Sequence, residues 1–294
     1  MLREEFDRLA AGKVLLLDGA TGSELRKRGM PVGVSTELWA LEHPEMVLAL
    51  QRAYISAGSD IIYAPTFSAN RMGLEMHGAA DRLREINAGL VKLSREAAAG
   101  RALVAGDITT TGKPLEPVGT LSYQALFDIY REQIEILAEA GADLLVAETM
   151  LGLDETVCAV EAARSVCDLP IMCSLTMEAD GHLLFGGTAV EAAETLQAMG
   201  ACAVGLNCSV GPDQLEAVVA SIRAAAQVPV IAKPNAGLPM MDERGMAHYS
   251  MGPDAFAAAM ERLIAAGASI VGGCCGTDPE YIRALSAVAG RRGR

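Results

Sequence analysis

Aromatic side chains make up only 4% of the 294 residues, so the interior must be filled mainly by Ala, Val, Leu, Ile and Met from a 51% hydrophobic composition. Helices laid over a sheet pack with such residues, which favours an α/β fold over a β-sandwich. Long hydrophobic runs are also missing. The apolar stretches 14–17 and 144–147 are strand-length, far short of the ~20 residues that cross a bilayer. Residues 1–9 carry Arg3, Glu4, Glu5, Asp7 and Arg8 where an export signal would be basic and then apolar, so a cytoplasmic location is expected. Cations are in deficit, 24 Lys and Arg against 37 Asp and Glu, and the formal charge of -13 disfavours nucleic acid and anionic membranes as partners. No C-x-x-C spacing occurs, and seven cysteines is an odd number. A disulfide framework is therefore disfavoured, and metal binding or catalysis stays open.

What is present is a regular alternation of short β-branched or apolar runs with helical stretches. Eight strands are expected, over 14–17, 60–63, 103–106, 143–147, 171–175, 203–206, 230–232 and 269–272. Helices are expected over 44–57, 123–140, 189–199, 213–226 and 253–266, several opening with proline or an acidic residue. A weak repeat supports the count. Ala57-Gly58-Ser59-Asp60, Ala140-Gly141-Ala142-Asp143, Ala266-Gly267-Ala268-Ser269 and Met199-Gly200-Ala201-Cys202 each pass from a helix to a strand. The glycine in each suits the left-handed residue that closes a helix. Eight units with no Pro/Ser-rich linker point to one (β/α)8 barrel domain over 1–294 rather than an open doubly wound sheet.

In such a barrel the chemistry sits at the carboxyl ends of the strands. Cys208 follows the sixth strand in Gly205-Leu206-Asn207-Cys208-Ser209, and Cys274 and Cys275 follow the eighth in Gly272-Gly273-Cys274-Cys275-Gly276-Thr277. Only the seventh strand separates these ends, so three thiols can meet at one ion. Gly272, Gly273 and Gly276 allow the backbone turn that two adjacent cysteines need. Zinc suits three thiolates and leaves a fourth position for substrate; a vicinal disulfide or plain core packing are the alternatives. Cys158, Cys167, Cys173 and Cys202 read as small buried hydrophobes.

Asp18 ends the first strand, Asp107 follows the third and Glu148 follows the fourth. Carboxylates at that rim can bind an ammonium group or simply cap a turn, while backbone N–H groups of Gly19, Ala20, Thr21, Gly22 and Ser23 can receive a carboxylate. An α-amino acid needs both. The side-chain oxygen of Asn235 can fill the open zinc position in the absence of substrate, or cap a turn. His43, His77, His182 and His248 show no metal spacing and read as surface or loop residues. Met240, Met241 and the other methionines read as fillers of core gaps. The stretch Thr36-Glu37-Leu38-Trp39 either shapes a pocket for a small cationic donor or packs.

The chain resembles the homocysteine S-methyltransferase family, in particular the homocysteine-binding barrel of cobalamin-dependent methionine synthase. The resemblance is carried by Asp18-Gly19-Ala20-Thr21-Gly22, Pro65-Thr66-Phe67-Ser68-Ala69-Asn70, Thr111-Gly112-Lys113-Pro114-Leu115-Glu116-Pro117 and Glu148-Thr149-Met150, then by Gly205-Leu206-Asn207-Cys208-Ser209, Pro234-Asn235-Ala236-Gly237 and Gly273-Cys274-Cys275-Gly276-Thr277. It implies a cytoplasmic zinc enzyme in methionine biosynthesis, with Cys208, Cys274 and Cys275 on the metal. It also implies that Asp18, Glu148 and the 19–23 loop hold the amino acid end of homocysteine. Asp107 carries over less directly, because many relatives have a small hydroxyl residue there. Asp107-Ile108-Thr109-Thr110 departs from the Ser-Ile-Gly-Pro run expected in this family.

The mechanism that the resemblance implies is methyl transfer to a zinc-held homocysteine thiolate. Four sulfurs on zinc leave a net charge of about -2, which keeps the sulfur nucleophilic. Inversion at the methyl carbon is expected for a single direct transfer. The first expectation for the donor is methylcobalamin on a separate corrinoid protein, and the second is S-methylmethionine or a betaine-like compound. A different thiol acceptor and a non-catalytic zinc- or thiol-binding subunit are the remaining alternatives.

Overall fold

The computed structural model describes residues 1–241 and 247–290. The chain opens with α1 (Arg3–Gly12), β1 (Leu15–Leu16), α2 (Gly22–Lys27), α3 (Thr36–Glu42), α4 (Pro44–Ala57), β2 (Ile61–Tyr63), α5 (Arg71–Glu75) and α6 (Leu83–Ala98). It continues through β3 (Leu103–Thr109), α7 (Tyr123–Glu139), β4 (Leu144–Met150), α8 (Leu153–Val166), β5 (Ile171–Leu175), α9 (Ala189–Ala198) and β6 (Ala203–Cys208). Then come α10 (Glu216–Ala225), β7 (Val230–Pro234), β8 (Pro239–Met241), β9 (Ala247–Tyr249), α11 (Pro253–Ala266), β10 (Ala268–Val271) and α12 (Pro279–Ala289).

Local chemistry sets many of the boundaries. Ser35, Asn70, Ser122 and Thr188 accept a backbone N–H with their side chains at helix starts, and Thr188 forms a reciprocal capping box with Glu191. Gly58, Gly141, Gly200 and Gly267 all have positive φ where a helix gives way to the next strand, as the repeat implied. The segment expected as one helix over 213–226 is instead a 3-10 turn, Pro212–Gln214, followed by α10.

Eight strands form one parallel sheet in the order β1-β10-β7-β6-β5-β4-β3-β2. This is the expected (β/α)8 barrel. The last seam, between β1 and β2, has no full backbone ladder; one backbone bond and two carboxylates close it. The Asp60 amide donates to the Leu16 carbonyl at 2.7 Å, and the Asp60 carboxylate accepts from the Leu16 amide at 2.9 Å. One step higher, the Asp18 carboxylate accepts from the Tyr63 amide at 2.8 Å.

Residues of alternate parity fill the barrel: Leu15, Leu17, Ile61, Ala105, Leu144, Val146, Met172, Ala203, Ile231 and Ile270 pack together with Phe6 of α1. Period-two alternation then puts Tyr63, Asp107, Glu148, Asn207 and Lys233 at the next inward positions towards the carboxyl ends. The larger apolar cluster lies between the outer face of the sheet and the helices. Several strands run further than expected, so that Asp107, Glu148 and Cys208 lie within β3, β4 and β6 rather than after them. The β8–β9 hairpin, unexpected from the sequence, joins β7 to α11.

Candidate active site

The thiols meet because two strand ends break regularity. At the end of β6 both Cys208 and Ser209 adopt positive φ, 59° and 62°, a left-handed region costly for residues with a Cβ. That double reversal turns the Cys208 side chain towards β10. Past β10, Cys274 donates its amide to the Pro234 carbonyl at 2.7 Å, and Thr277 ties the turn by donating its hydroxyl to the Cys274 carbonyl at 2.7 Å. A Cβ on Gly273 would lie 2.5 Å from Thr277, and one on Gly276, which has φ of +83°, would lie 2.3 Å from the Tyr249 ring. Glycine is required at both. The three sulfurs lie within 4.8 Å of one another.

The cluster is electrostatically uneven. Hydrogen bonding from Cys208 and Cys274, helped by the Tyr249 hydroxyl and opposed by burial, pushes the Cys275 thiol down to about 3. Hydrogen bonding to Cys274 and Cys275, with burial, holds Cys208 well above its ordinary value. Asn207 braces the group from below. Its side chain accepts the Thr149 amide at 2.8 Å, donates to the Thr149 hydroxyl at 2.7 Å and reaches Cys274 Sγ at 3.9 Å.

Beside the thiols, four charged side chains are buried together: Asp18, Asp107, Glu148 and Lys233. Lys233 Nζ lies 3.0 Å from Glu148 and 3.7 Å from Asp18, and stands 4.9 Å from the centre of the Tyr63 ring. Burial pushes Asp18 up to about 7, against the pull of Lys233 and the Tyr63 amide. Asp107 is raised by burial and then by Glu148, and Glu148 by burial. Burial alone would lower the Lys233 ammonium, but Glu148 and Asp18 outweigh it and hold it above its ordinary value.

These groups line one cavity of about 490 Å³, together with Gly19, Ala20, Thr21, Gly22, Ser23, Glu37, Tyr63, Thr149 and His77. The stretch read as a loop over 19–23 is partly helical, since Gly22 and Ser23 begin α2. The Ala20 amide donates to Thr277 at 3.2 Å, so it is not free for a ligand, whereas the Ser23 hydroxyl is buried without a hydrogen-bond partner. Asn235 does not line the cavity; its Nδ2 donates to the Ser209 carbonyl at 3.0 Å and its Oδ1 is buried without a partner.

Other expectations divide. Trp39 is buried, stacked on His43 at 4.1 Å and packed in the helical layer, so it is a packing residue. His77 is exposed yet lines the cavity mouth. Met240 is 58% exposed rather than a core filler; the side chain of Met241 lies outside the described residues. Cys158, Cys173 and Cys202 are buried and Cys167 is half-buried, and burial pushes Cys158 and Cys173 up to about 12. Lys233 and Tyr249 are the residues the sequence reading missed. Lys233 carried one available signal, a cation two residues after Ile231 on a strand that is otherwise apolar.

A parallel barrel with ionisable groups gathered at its carboxyl end belongs to the class of (β/α)8 enzymes. A family profile described as homocysteine S-methyltransferase matches residues 15–289. Among curated relatives, the methionine synthase of Mycobacterium leprae is 29% identical over 96% of this chain but only 25% of its own length. The chain thus spans about a quarter of the methionine synthases it matches. The S-methylmethionine--homocysteine S-methyltransferase BHMT2 of Pongo abelii is 31% identical over 95% of this chain and 79% of its own. The homocysteine methyltransferase MmuM from Escherichia coli, in its metallated form, shares the fold with a TM-score of 0.80 at 24% identity, covering 95% of this chain and 98% of that one. The chain belongs to the homocysteine S-methyltransferase family.

Proposed function

We propose that this protein is a zinc-dependent methyltransferase whose acceptor is the thiol of homocysteine, with methionine as product. The observation that carries the reading is the approach of Cys208, Cys274 and Cys275, from two separate strand ends, to within 4.8 Å of one another beside a carboxylate-lined cavity. Three thiolates on a tetrahedral zinc at ~2.3 Å stand roughly 3.8 Å apart, so this cluster fits zinc with only small side-chain movement. Zinc held there would supply a Lewis acid that keeps an incoming thiol deprotonated near neutral pH.

The chain's own residues do the rest. Asp18, Asp107 and Glu148 make the anionic side of the cavity that receives an ammonium group. Gly19, Ala20, Thr21, Gly22 and Ser23 form the opposing edge; there the Ser23 hydroxyl and the amides at the start of α2 face the acceptor's carboxylate, while the Ala20 amide stays on Thr277. Asn235 steadies Ser209, and through it the reversed backbone that aims Cys208.

For the donor, a methylcorrinoid carried on a separate protein is favoured. Exposed apolar side chains on several βα segments, among them Val32, Val118, Phe185, Leu238 and Met240, support contact with a macromolecule at the mouth. S-methylmethionine, named in the BHMT2 relative, is the alternative. All seven cysteines are free thiols, which supports a cytoplasmic setting. The test is a donor screen on the zinc-loaded protein with homocysteine as acceptor: methionine should form with at least one donor. Full activity in a Cys208→Ala variant would exclude this mechanism.

A further inference from the structure

The segment that follows β3 is tied to a carboxylate that does not line the cavity. Glu155, buried in the first turn of α8, accepts the Thr110 hydroxyl on Oε2 at 2.5 Å. On Oε1 it accepts the Thr111 amide at 2.7 Å, the Thr111 hydroxyl at 2.8 Å and the Tyr130 hydroxyl at 2.9 Å. All four donors are neutral, so this buried charge is compensated by charge-assisted hydrogen bonds and by its place at a helix start. Bonds of that kind are short and directional, and here they fix two consecutive residues of the chain.

From Glu155 the bonding runs on into the site. The fully buried Tyr130 hydroxyl also reaches the Thr109 carbonyl at 3.1 Å; burial, and then Glu155, raise its pKa, so it remains a donor. Thr109 ends β3 opposite Glu148, and its hydroxyl donates to the Glu148 carbonyl at 2.7 Å. The N–H of that same peptide, on Thr149, donates to Asn207 Oδ1 at 2.8 Å, and Asn207 in turn reaches Cys274 Sγ at 3.9 Å. The 148–149 peptide is thus held at both its oxygen and its hydrogen, which secures Thr149 at a φ of 58°, where a residue with a Cβ is strained. Glu148 and Cys274 stand at two points of one continuous network, with Glu155 at its outer end. The Gly-Pro pair expected at 109 and 110 has no side-chain hydroxyl, so neither link could form with those residues.

We propose that Glu155 is a positioning residue: by anchoring Thr109, Thr110 and Thr111 it fixes the 148–149 peptide, and with it the separation between the Glu148 carboxylate and the thiol cluster. The proposal rests on the acceptor reading above, in which Glu148 belongs to the side that receives the ammonium group and the cysteines to the side that receives the sulfur. Glu155 touches neither the acceptor nor a reacting atom. Its effect is to match the spacing of the two sides to the length of one amino thiol, and a misplacement of about 1 Å is costly in such a site.

The test compares homocysteine with γ-mercaptobutyrate, which is homocysteine without its amino group. Both are used on the zinc-loaded enzyme for kcat/KM and on the cobalt-substituted protein for binding, read from the thiolate-to-cobalt charge-transfer band. Glu155→Leu and Thr109→Val should each lower the homocysteine to γ-mercaptobutyrate ratio about tenfold in both measurements, mainly through KM. Thr109→Ser, which restores the hydroxyl, should stay within about twofold of the unaltered protein. Because both changes cut one network, the double variant Glu155→Leu, Thr109→Val should lose no more than the larger single loss. If Glu155→Leu does not fold, the pair Thr110→Val, Thr111→Val takes its place, since it strips two hydroxyls from the carboxylate. A ratio unchanged within about twofold in either single variant overturns the proposal. So does an equal loss for both thiols, which marks a general structural role, or a double variant whose loss is the product of the two. If the unaltered protein does not distinguish the two thiols, the acceptor reading itself falls, whereas discrimination that survives the substitutions defeats this proposal alone.

Discussion

Lys233 Nζ lies 3.0 Å from Glu148 Oε1, with both side chains buried and drawn from β7 and β4, which stand three positions apart in the barrel. The pair forms part of a polar layer on top of an apolar interior, and that layer abuts the three thiols. Its members are charged, crowded and buried, which is how ionisable groups acquire displaced pKa values at functional sites.

Removing one sulfur tests the metal centre directly. Cys208→Ala should reduce bound zinc from about one ion per chain to below roughly a tenth and lower methyl transfer by at least about a hundredfold. Metal analysis by atomic absorption and a thiol-methylation assay check it. A chelator applied to the unaltered protein should produce the same loss, reversed by added zinc.

Tyr249 offers a milder probe of the same centre. Its hydroxyl hydrogen-bonds Cys275 and favours the thiolate. Tyr249→Phe keeps the ring that packs on Gly276 and removes that bond. Zinc affinity should fall by about tenfold with little change in thermal stability, as read by competition against a chromophoric chelator.

The Asp18 carboxyl makes stability depend on pH. Burial pushes it from 3.8 up to about 7, so between those values the folded protein holds a proton that the unfolded chain has released. Its contribution is therefore present at low pH and is lost as the pH rises from about 4 to about 7. The whole shift corresponds to on the order of 4 kcal/mol. Asp18→Asn should flatten that decline in urea unfolding measured across the window; an unchanged slope would remove Asp18 as its source.

Barrel closure depends on a side chain. Asp60→Ala leaves the Leu16 amide without its carboxylate acceptor at the β1–β2 seam. A loss of about 1–3 kcal/mol is expected in equilibrium unfolding, because a part-buried donor is left unpaired. The substitution lies at the amino end of β2, away from the cavity, so the KM for the acceptor should change little.

Much of the fold was legible because it is written in local patterns. Helix starts at Pro44 and Pro253 and closures at Gly58 and Gly267 fall where proline and glycine chemistry puts them. Strand ends were less legible. β3, β4 and β6 extend past their hydropathic runs, since Asp107, Glu148 and Cys208 look like loop residues when only hydropathy is weighed; inside a barrel, inward polar residues continue the strand. The β8–β9 hairpin was missed because its strands are short and largely exposed, with no apolar alternation to mark them. Within the site, the three cysteines and three carboxylates were found because each sits at the carboxyl end of a strand. Lys233 escaped notice because an isolated lysine ordinarily marks a solvated surface, and only its partners, Asp18 just past β1 and Glu148 on β4, explain its burial.

The sequence alone determined the periodicities, the caps and the residue types at the ends of the strands, because each depends on neighbours a few positions away. Tertiary structure decided which of those residues meet. Parallel pairing sets β6, β7 and β10 side by side, and the left-handed backbone at Cys208 and Ser209 turns a sulfur toward the pair that follows β10. Inside the barrel Lys233 also reaches Asp18, which follows β1 two strands to one side, and Glu148 on β4 three strands to the other. Contacts between residues more than sixty positions apart are set by the geometry of the closed barrel, which no short stretch of chain contains.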